Sequence, residues 1–179
     1  MDTFLQLALK RRSIRKYTAQ PVEQEKIEQM LQAALASPSS KHQNPWEMVV
    51  VTDRDQLTKM ASCKTYGSQM LKEAPLGIVV LADKTATDTW QCDASILAFS
   101  LLLSATDLGL GACWVHIHDR SFTLPDGTEQ SAETAVRQML GIPEQKAVLC
   151  IVAVGYPNEE KKPINPEKLQ YEKVHYGKY

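Results

Sequence analysis

Residues 96–114, ILAFSLLLSATDLGLGACW, decide how the rest of the chain folds. Ile96, Leu97, Phe99, Leu101, Leu102 and Leu103 fall all around a helical projection and not along one stripe, which predicts a helix central to the fold. Its expected span is 89–107. Ser100, Ser104, Thr106 and Asp107 interrupt the run, so no membrane span is expected here. The stretch Leu108-Gly109-Leu110-Gly111 stops the helix, and 112–117 reads as a strand.

Downstream, 121–130 is expected to be a polar loop and 131–140 a helix broken by Gly141 and Pro143. Residues 147–155 then form a buried-type strand. Upstream, 76–82 is a nearly continuous apolar run, the pattern of an interior strand covered on both faces. Residues 46–52 form another strand and 53–61 a helix, with a further turn or two over 66–72. Ile27, Met30, Leu31, Ala34 and Leu35 recur at helical spacing over 24–36, and Ser37 and Pro38 stop that helix. Phe4, Leu7 and Ala8 mark a short first helix. Helices alternating with about four strands predict an α/β or α+β fold. At 179 residues the chain suits one domain, 1–179. From Tyr156 the pattern is lost, and Pro157, Pro163 and Pro166 predict an extended tail over 156–179 that needs a surface to lie on, its own body or a partner subunit.

Twenty Lys and Arg against twenty-one Asp and Glu give a net charge of −1. That balance argues against a nucleic-acid binder, which needs a broad cationic face. Cys63, Cys92, Cys113 and Cys150 are spaced 29, 21 and 37 residues apart, matching neither zinc ligands nor a redox pair. Four reduced, mostly buried thiols are expected. Asp2 and the Lys10–Arg12 cations do not fit a secretory leader, and a cytoplasmic setting is the expectation.

Against that neutral balance, residues 11–17 (RRSIRKY) stand out, because five of the seven residues from Lys10 to Lys16 are cationic. Arg11, Arg12 and Arg15 around the Ser13 hydroxyl offer fixed donors suited to a phosphate monoester. The same residues could instead form a basic surface of ordinary salt bridges. The loop 37–46 (SPSSKHQNPW) crowds hydroxyls, amides and an aromatic ring between a helix and a strand. A planar heteroaromatic ligand would use all of them; the plain alternative is a loop bonded to itself. His116 and His118 would share a strand face, but no third ligand falls at metal-site spacing, so no metal is expected. GxSxG, GxGxxG and GxxxxGK[ST] are all missing. A bound cofactor would therefore meet Arg11, Arg12, Ser13 and Arg15 at its phosphate, with Lys161 and Lys162 as further candidates, and the 37–44 loop at its ring.

Four of these segments resemble, in order and approximate spacing, the FMN-dependent nitroreductase family. They are RRSIRKY, the loop SPSS leading to NPW, the apolar helix running into LGLGACW, and VAVGYP at 152–157. The resemblance covers nearly the whole chain. It implies a three-layer α-β-α fold of the α+β class, with a mixed or antiparallel central sheet of four to five strands, in an intertwined homodimer holding FMN at the subunit interface. By the same resemblance, Arg11, Arg12, Ser13 and Arg15 would meet the phosphate and ribityl chain, and Pro38, Ser39 and Ser40 the isoalloxazine from the other subunit. Asn44 would fix the loop or touch the flavin, and Gln69 would meet the pyrimidine edge. Trp114 and His116 would flank flavin N5, and Lys161 or Lys162 would make a late phosphate contact. Larger members carry extra helices and a Glu-Gly pair near N5 that this chain lacks.

The implied activity is hydride transfer from NAD(P)H through FMN to a small electron-poor acceptor, a nitroaromatic or quinone, with no side chain as obligatory acid or base. Lys41 and His42 would tune the ring. The alternatives are a flavin- or nucleotide-binding protein without turnover, and a homodimeric interaction module whose basic stretch takes an acidic peptide. Nucleic acid and membrane are not expected partners.

Overall fold

The computed structural model describes residues 3–179. Thr3 caps α1 (Phe4–Lys10): its hydroxyl accepts from the Gln6 N–H while the Gln6 side chain accepts from the Thr3 N–H, closing a capping box. After α2 (Gln24–Leu35) come β1 (Trp46–Val51), α3 (Arg54–Met60), β2 (Leu76–Asp83) and the long α4 (Trp90–Asp107). Then follow β3 (Gly111–His116), β4 (Ser121–Thr123), β5 (Glu129–Ser131), α5 (Ala132–Leu140) and β6 (Lys146–Gly155). Single 3₁₀ turns lie at Ser40–His42, Gln69–Lys72, Pro166–Lys168 and Tyr171–Lys173.

The main sheet has the order β1-β2-β6-β3, with every neighbouring pair antiparallel. β2 and β6 are the inner strands and are buried along nearly their whole length, as their unbroken apolar runs require. On one face α2 and α4 cover Ile78, Val80, Val152 and Val154 with Met30, Leu97 and Leu101. On the other, Val79 and Ile151 meet Leu57, Met60, Leu71 and Val136 from α3, the turn at Gln69–Lys72 and α5. The result is three layers, α-β-α, of the α+β class.

Residues 11–18 lie across the end of this sheet and add its only parallel pairing among the described residues. Ser13 bridges Ala112 in parallel and Tyr17 bridges Pro157 antiparallel. The Ile14 N–H donates to the Ala112 carbonyl at 3.1 Å, and the buried Tyr17 hydroxyl donates to Ile14 O at 2.6 Å. Gly111 is what lets them approach: a Cβ there would stand 2.7–2.9 Å from the Ile14 side chain. The glycine that ends the α4–β3 turn in sequence therefore also seats the N-terminal segment.

One expectation changes. The polar loop at 121–130 is a small hairpin, β4 pairing with β5, whose three-residue strands are too short to leave a period-two pattern. Its turn is closed by Asp126, which accepts from the Thr128 N–H at 2.9 Å. The four thiols are free and mostly buried, as expected: Cys63, Cys113 and Cys150 are buried, and Cys92 is exposed on α4. Its apolar neighbours Trp90 and Ala94 are buried, whereas Cys92 itself is on the outer side of the helix. Among the described residues no helix is long and apolar enough to cross a membrane.

Along α4 the inner face (Ala94, Leu97, Leu101, Ala105) is fully buried. The outer stripe is not: Ile96 is 42% and Phe99 45% exposed. Phe4, Leu5 and Leu35, from the two helices that pack beside α4, are exposed as well. A helix that is apolar all round is normally covered all round.

Candidate functional site

The cationic stretch is folded into a corner by the tail. Leu9 O accepts from the Ile164 N–H at 2.8 Å, and Lys16 O accepts from the Asn158 N–H at 2.9 Å. Between these clasps the Arg12 guanidinium donates to the Lys162 carbonyl. The Lys161 amine donates to Ser13 O at 2.6 Å and lies 3.4 Å from Glu159. Glu159 in turn accepts from the Arg15 N–H at 2.5 Å and the Lys16 N–H at 3.3 Å. So Arg12, Ser13, Arg15 and Lys161 are brought together, with Arg11 at the end of α1 beside them. Of the two lysines, Lys161 brings its amine into the corner, whereas Lys162 offers its backbone carbonyl and leaves its side chain exposed.

Glu159 is the one acidic member, and its carboxyl is held below the usual carboxylate range, chiefly by the Arg15 N–H and then by the Lys161 ammonium. A lowered carboxyl pKa contributes stability that is present above the unfolded-state value and is lost as pH falls through the folded one. The clasp is therefore expected to loosen below about pH 4.5. Thermal unfolding scanned from about pH 5 down to about pH 3 should show a falling Tm, shallower in Glu159→Gln.

β3 is an edge strand with one free side. Its peptide groups alternate, and those of Gly111, Cys113 and Val115 face β6. Ala112 O takes Ile14 at one end of the free side, and His116 O takes the Lys64 amine at 2.8 Å at the other. The peptide of Trp114 faces outward in the gap between them. Ala112 and His116 are four residue steps apart along the strand, so the gap spans about 13 Å. Beside it opens a cleft of about 400 Å³ lined by Arg15, Lys16, Gly67, Gln69, Met70 and Glu73. Arg15 and Gln69, remote in sequence, thus share one cleft. The Trp114 indole N–H donates to His116 Nδ1 at 3.3 Å, and the two rings stack at 18°. This fixes the neutral imidazole with its proton on Nε2. Burial, then Arg120, Lys64 and His118, push the His116 pKa below its ordinary value.

The 37–44 loop lies elsewhere. Ser39 donates its hydroxyl to the Asn44 side chain at 2.7 Å and accepts from the Asn44 N–H at 3.0 Å. Lys41, His42 and Asn44 all have positive φ, at 51°, 53° and 44°. Such left-handed backbone in non-glycine residues persists only where its surroundings hold it. The holding group is Asp93, 3% exposed in the first turn of α4, which accepts from the Ser40 N–H at 2.9 Å and lies 3.2 Å from the Thr89 hydroxyl. Pro38, Lys41 and His42 are exposed. The corner abuts the opposite end of α4, since Thr106, Gly109 and Leu110 line a small cavity with Arg12 and Lys161. Asp93 and Thr106 are thirteen residues apart on one helix, about 20 Å. Within one chain, then, Pro38, Ser39, Ser40 and Asn44 do not meet the arginines.

Sequence reasoning missed Asp93, Glu159 and Lys64. Asp93 had a signal, a lone carboxylate at the head of an otherwise apolar helix. Glu159 and Lys64 had none, each being one charge among several in a polar stretch. His116 and His118 do not form a pair: His118 turns to Glu133 at 3.2 Å and to the Trp90 ring. Among the described residues no group of three or more His, Cys, Asp or Glu could hold a metal ion.

Fold and corner together define an α+β protein with a folded cationic corner that contains neither a Rossmann nor a P-loop turn. The chain matches the Nitroreductase family profile over residues 8–64 and 56–156. It is 42% identical to an FMN-dependent nitroreductase from Clostridium difficile R20291, with a TM-score of 0.93 over 98% of this chain and 100% of that one. An NADH dehydrogenase of Thermus thermophilus is 31% identical, covering 93% of this chain and 92% of its own. The NADPH:FMN oxidoreductase of Vibrio harveyi, solved with NAD+, is 26% identical with a TM-score of 0.74, over 98% of this chain and 77% of that one. The chain belongs to the nitroreductase family.

Proposed function

We propose that two copies of this chain pack their α4 helices antiparallel about a twofold axis, and that one FMN is held at each end of that interface. The chain is an FMN-dependent oxidoreductase that takes reducing equivalents from NAD(P)H and passes them to an electron-poor acceptor. The observation that carries the site is the outward peptide of Trp114, set between Ile14 and Lys64 beside the Arg15–Gln69 cleft, with the cationic corner at one end. A flat ring carrying a phosphorylated chain fits that layout, because donors line one long edge and fixed cations lie past its end.

When bound, FMN supplies the chemistry, accepting a hydride and returning electrons to the acceptor. The residues bind and orient. Arg11, Arg12, Ser13, Arg15 and Lys161 would hold the phosphate and adjoining hydroxyls through charge-assisted bonds. The outward N–H groups of Trp114 and His116 would donate along the ring edge and favour negative charge there, and Gln69 would meet the opposite edge. No carboxylate pair or Ser-His arrangement faces this cleft, consistent with side chains that position and do not transfer protons obligatorily.

The partner is what completes the ring site. Pro38, Ser39, Ser40 and Asn44 lie about a helix length from their own corner. An antiparallel twofold pairing of α4 brings the loop of each copy to the corner of the other. The exposed stripe of Ile96 and Phe99 is the surface such pairing would cover, and the tail beyond residue 164, with Leu169, Tyr171 and Val174 exposed, would lie on the partner. The self-bonded Ser39–Asn44 pair and its anchor on Asp93 then serve to hold a pre-shaped lid over the partner's ring.

The purified protein is expected to be yellow or to become so on adding FMN, with the flavin band bleached by anaerobic addition of NADH or NADPH and restored by a nitroaromatic. A folded dimer that shows no flavin perturbation on titration would overturn this reading.

A further inference from the structure

At the far end of the β3 edge, away from the corner, positive charge collects with little to balance it. The Lys64 amine reaches the strand edge and uses one of its three donors on His116 O. Its position is fixed, because the buried Ser68 hydroxyl donates to Ala61 O at 2.7 Å and lies 3.4 Å from Lys64 O, tying the loop that carries it. Arg120 stands on an equally fixed turn: its N–H donates to Ile117 O at 3.1 Å, and its carbonyl accepts from the Ala132 N–H at 2.8 Å. The guanidinium is exposed, four residues along the chain from His116, and donates to the Asp119 carbonyl at 3.4 Å.

The carboxylates nearby are already engaged. Asp119 lies 3.3 Å from His118 Nε2, and its charge opposes the effect of the cations on His116. Glu133 is shared among His118 at 3.2 Å, Arg137 at 3.2 Å and the Val148 N–H at 3.1 Å. Burial and then Arg120 hold the Lys64 ammonium below its ordinary pKa, and His116 is depressed by burial and by both cations. Cations that destabilise one another on a fixed frame are stabilised by an incoming anion.

We propose that Lys64, Arg120 and the His116 imidazole form a subsite for the anionic substituent of the molecule that exchanges electrons at the Trp114 edge. This rests on the cofactor placement above and adds to it the class of substrate. The ligand chemistry is an aromatic or heteroaromatic molecule carrying a carboxylate or phosphate: its flat part lies toward the Trp114–His116 stack and its anion reaches Lys64 and Arg120. Two sources share that chemistry, an aryl carboxylate acceptor and the 2′-phosphate of NADPH.

The test compares kcat/KM of the FMN-loaded enzyme for 4-nitrobenzoate against 4-nitrobenzyl alcohol, and for NADPH against NADH, in wild type, Arg120→Gln and Arg120→Lys. Arg120→Gln is expected to lower one ratio about tenfold, the size of one charge-assisted contact, with Arg120→Lys recovering most of it. A fall in the nitrobenzoate ratio identifies the acceptor as the anion's source; a fall in the NADPH ratio identifies the donor. Both ratios unchanged, or all four rates falling in parallel, would overturn the subsite while leaving the cofactor reading intact. Loss of flavin from wild-type protein would instead strike the cofactor reading itself. Lys64→Met serves as a second variant, expected to lower the same ratio as Arg120→Gln; if it alters only the flavin spectrum and neither ratio, the subsite fails.

Discussion

Ile96→Asp combined with Phe99→Glu is expected to give a folded monomer that retains no FMN. Both side chains project from the exposed stripe of α4, and neither contributes to the buried face that packs on the sheet. The subunit should therefore keep its circular dichroism and its cooperative unfolding. In a twofold interface each substitution occurs twice. Losing about 2 kcal/mol of apolar burial at each of the four positions removes roughly 8 kcal/mol of association energy, nearly six decades in dimer affinity. Four carboxylates facing one another add repulsion. Because the 37–44 loop lies about 20 Å from its own corner, a monomer would hold only half of each proposed ring site. Sedimentation should report one subunit and the spectrum no flavin. A dimeric, flavin-loaded double variant would show that another surface assembles the protein.

The second large effect is expected from Arg11→Ala with Arg15→Ala. Each guanidinium would give a charge-assisted contact of about 1.5–3 kcal/mol, so FMN affinity should fall by roughly 10² to 10⁴. The corner itself should survive. Its clasps use the Arg15 N–H, the Arg12 guanidinium and the Lys161 amine, and the deleted side chains add only a long 3.5 Å contact from the Arg15 guanidinium to Ser13 O, which Lys161 already holds at 2.6 Å. A dimer with normal stability and normal FMN titration would remove the phosphate role from this patch. Lost affinity together with lost stability would implicate the clasp instead.

How far the sequence could be read depended on the kind of signal each part left. The inner strands β2 and β6 and the helix α4 were legible because burial on all sides forces long apolar runs. Their antiparallel order was not, since pairing partners leave no local mark. The β4–β5 hairpin escaped because three residues per strand carry no period. At the site, the arginines were legible as a concentration of fixed charge, and the 37–44 loop as an excess of donors over what a connection needs. What could not be read was that these two groups sit at opposite ends of one helix. That separation follows from Asp93 binding the Ser40 N–H and from Lys161 reaching Ser13, long-range contacts made by residues of ordinary type. The choice between Lys161 and Lys162 was equally hidden, because it turns on which of two adjacent side chains faces inward.

The clasp between Ser13 and Lys161 joins residues 148 positions apart. During synthesis the N-terminal half of the corner leaves the ribosome early and waits while nearly the whole chain is made. Only when Glu159 and Lys161 emerge can the corner close. If the proposed FMN site lies there, loading would wait until Glu159 and Lys161 are made, and a chain cut short before Glu159 carries its arginines without the carboxylate and ammonium that arrange them.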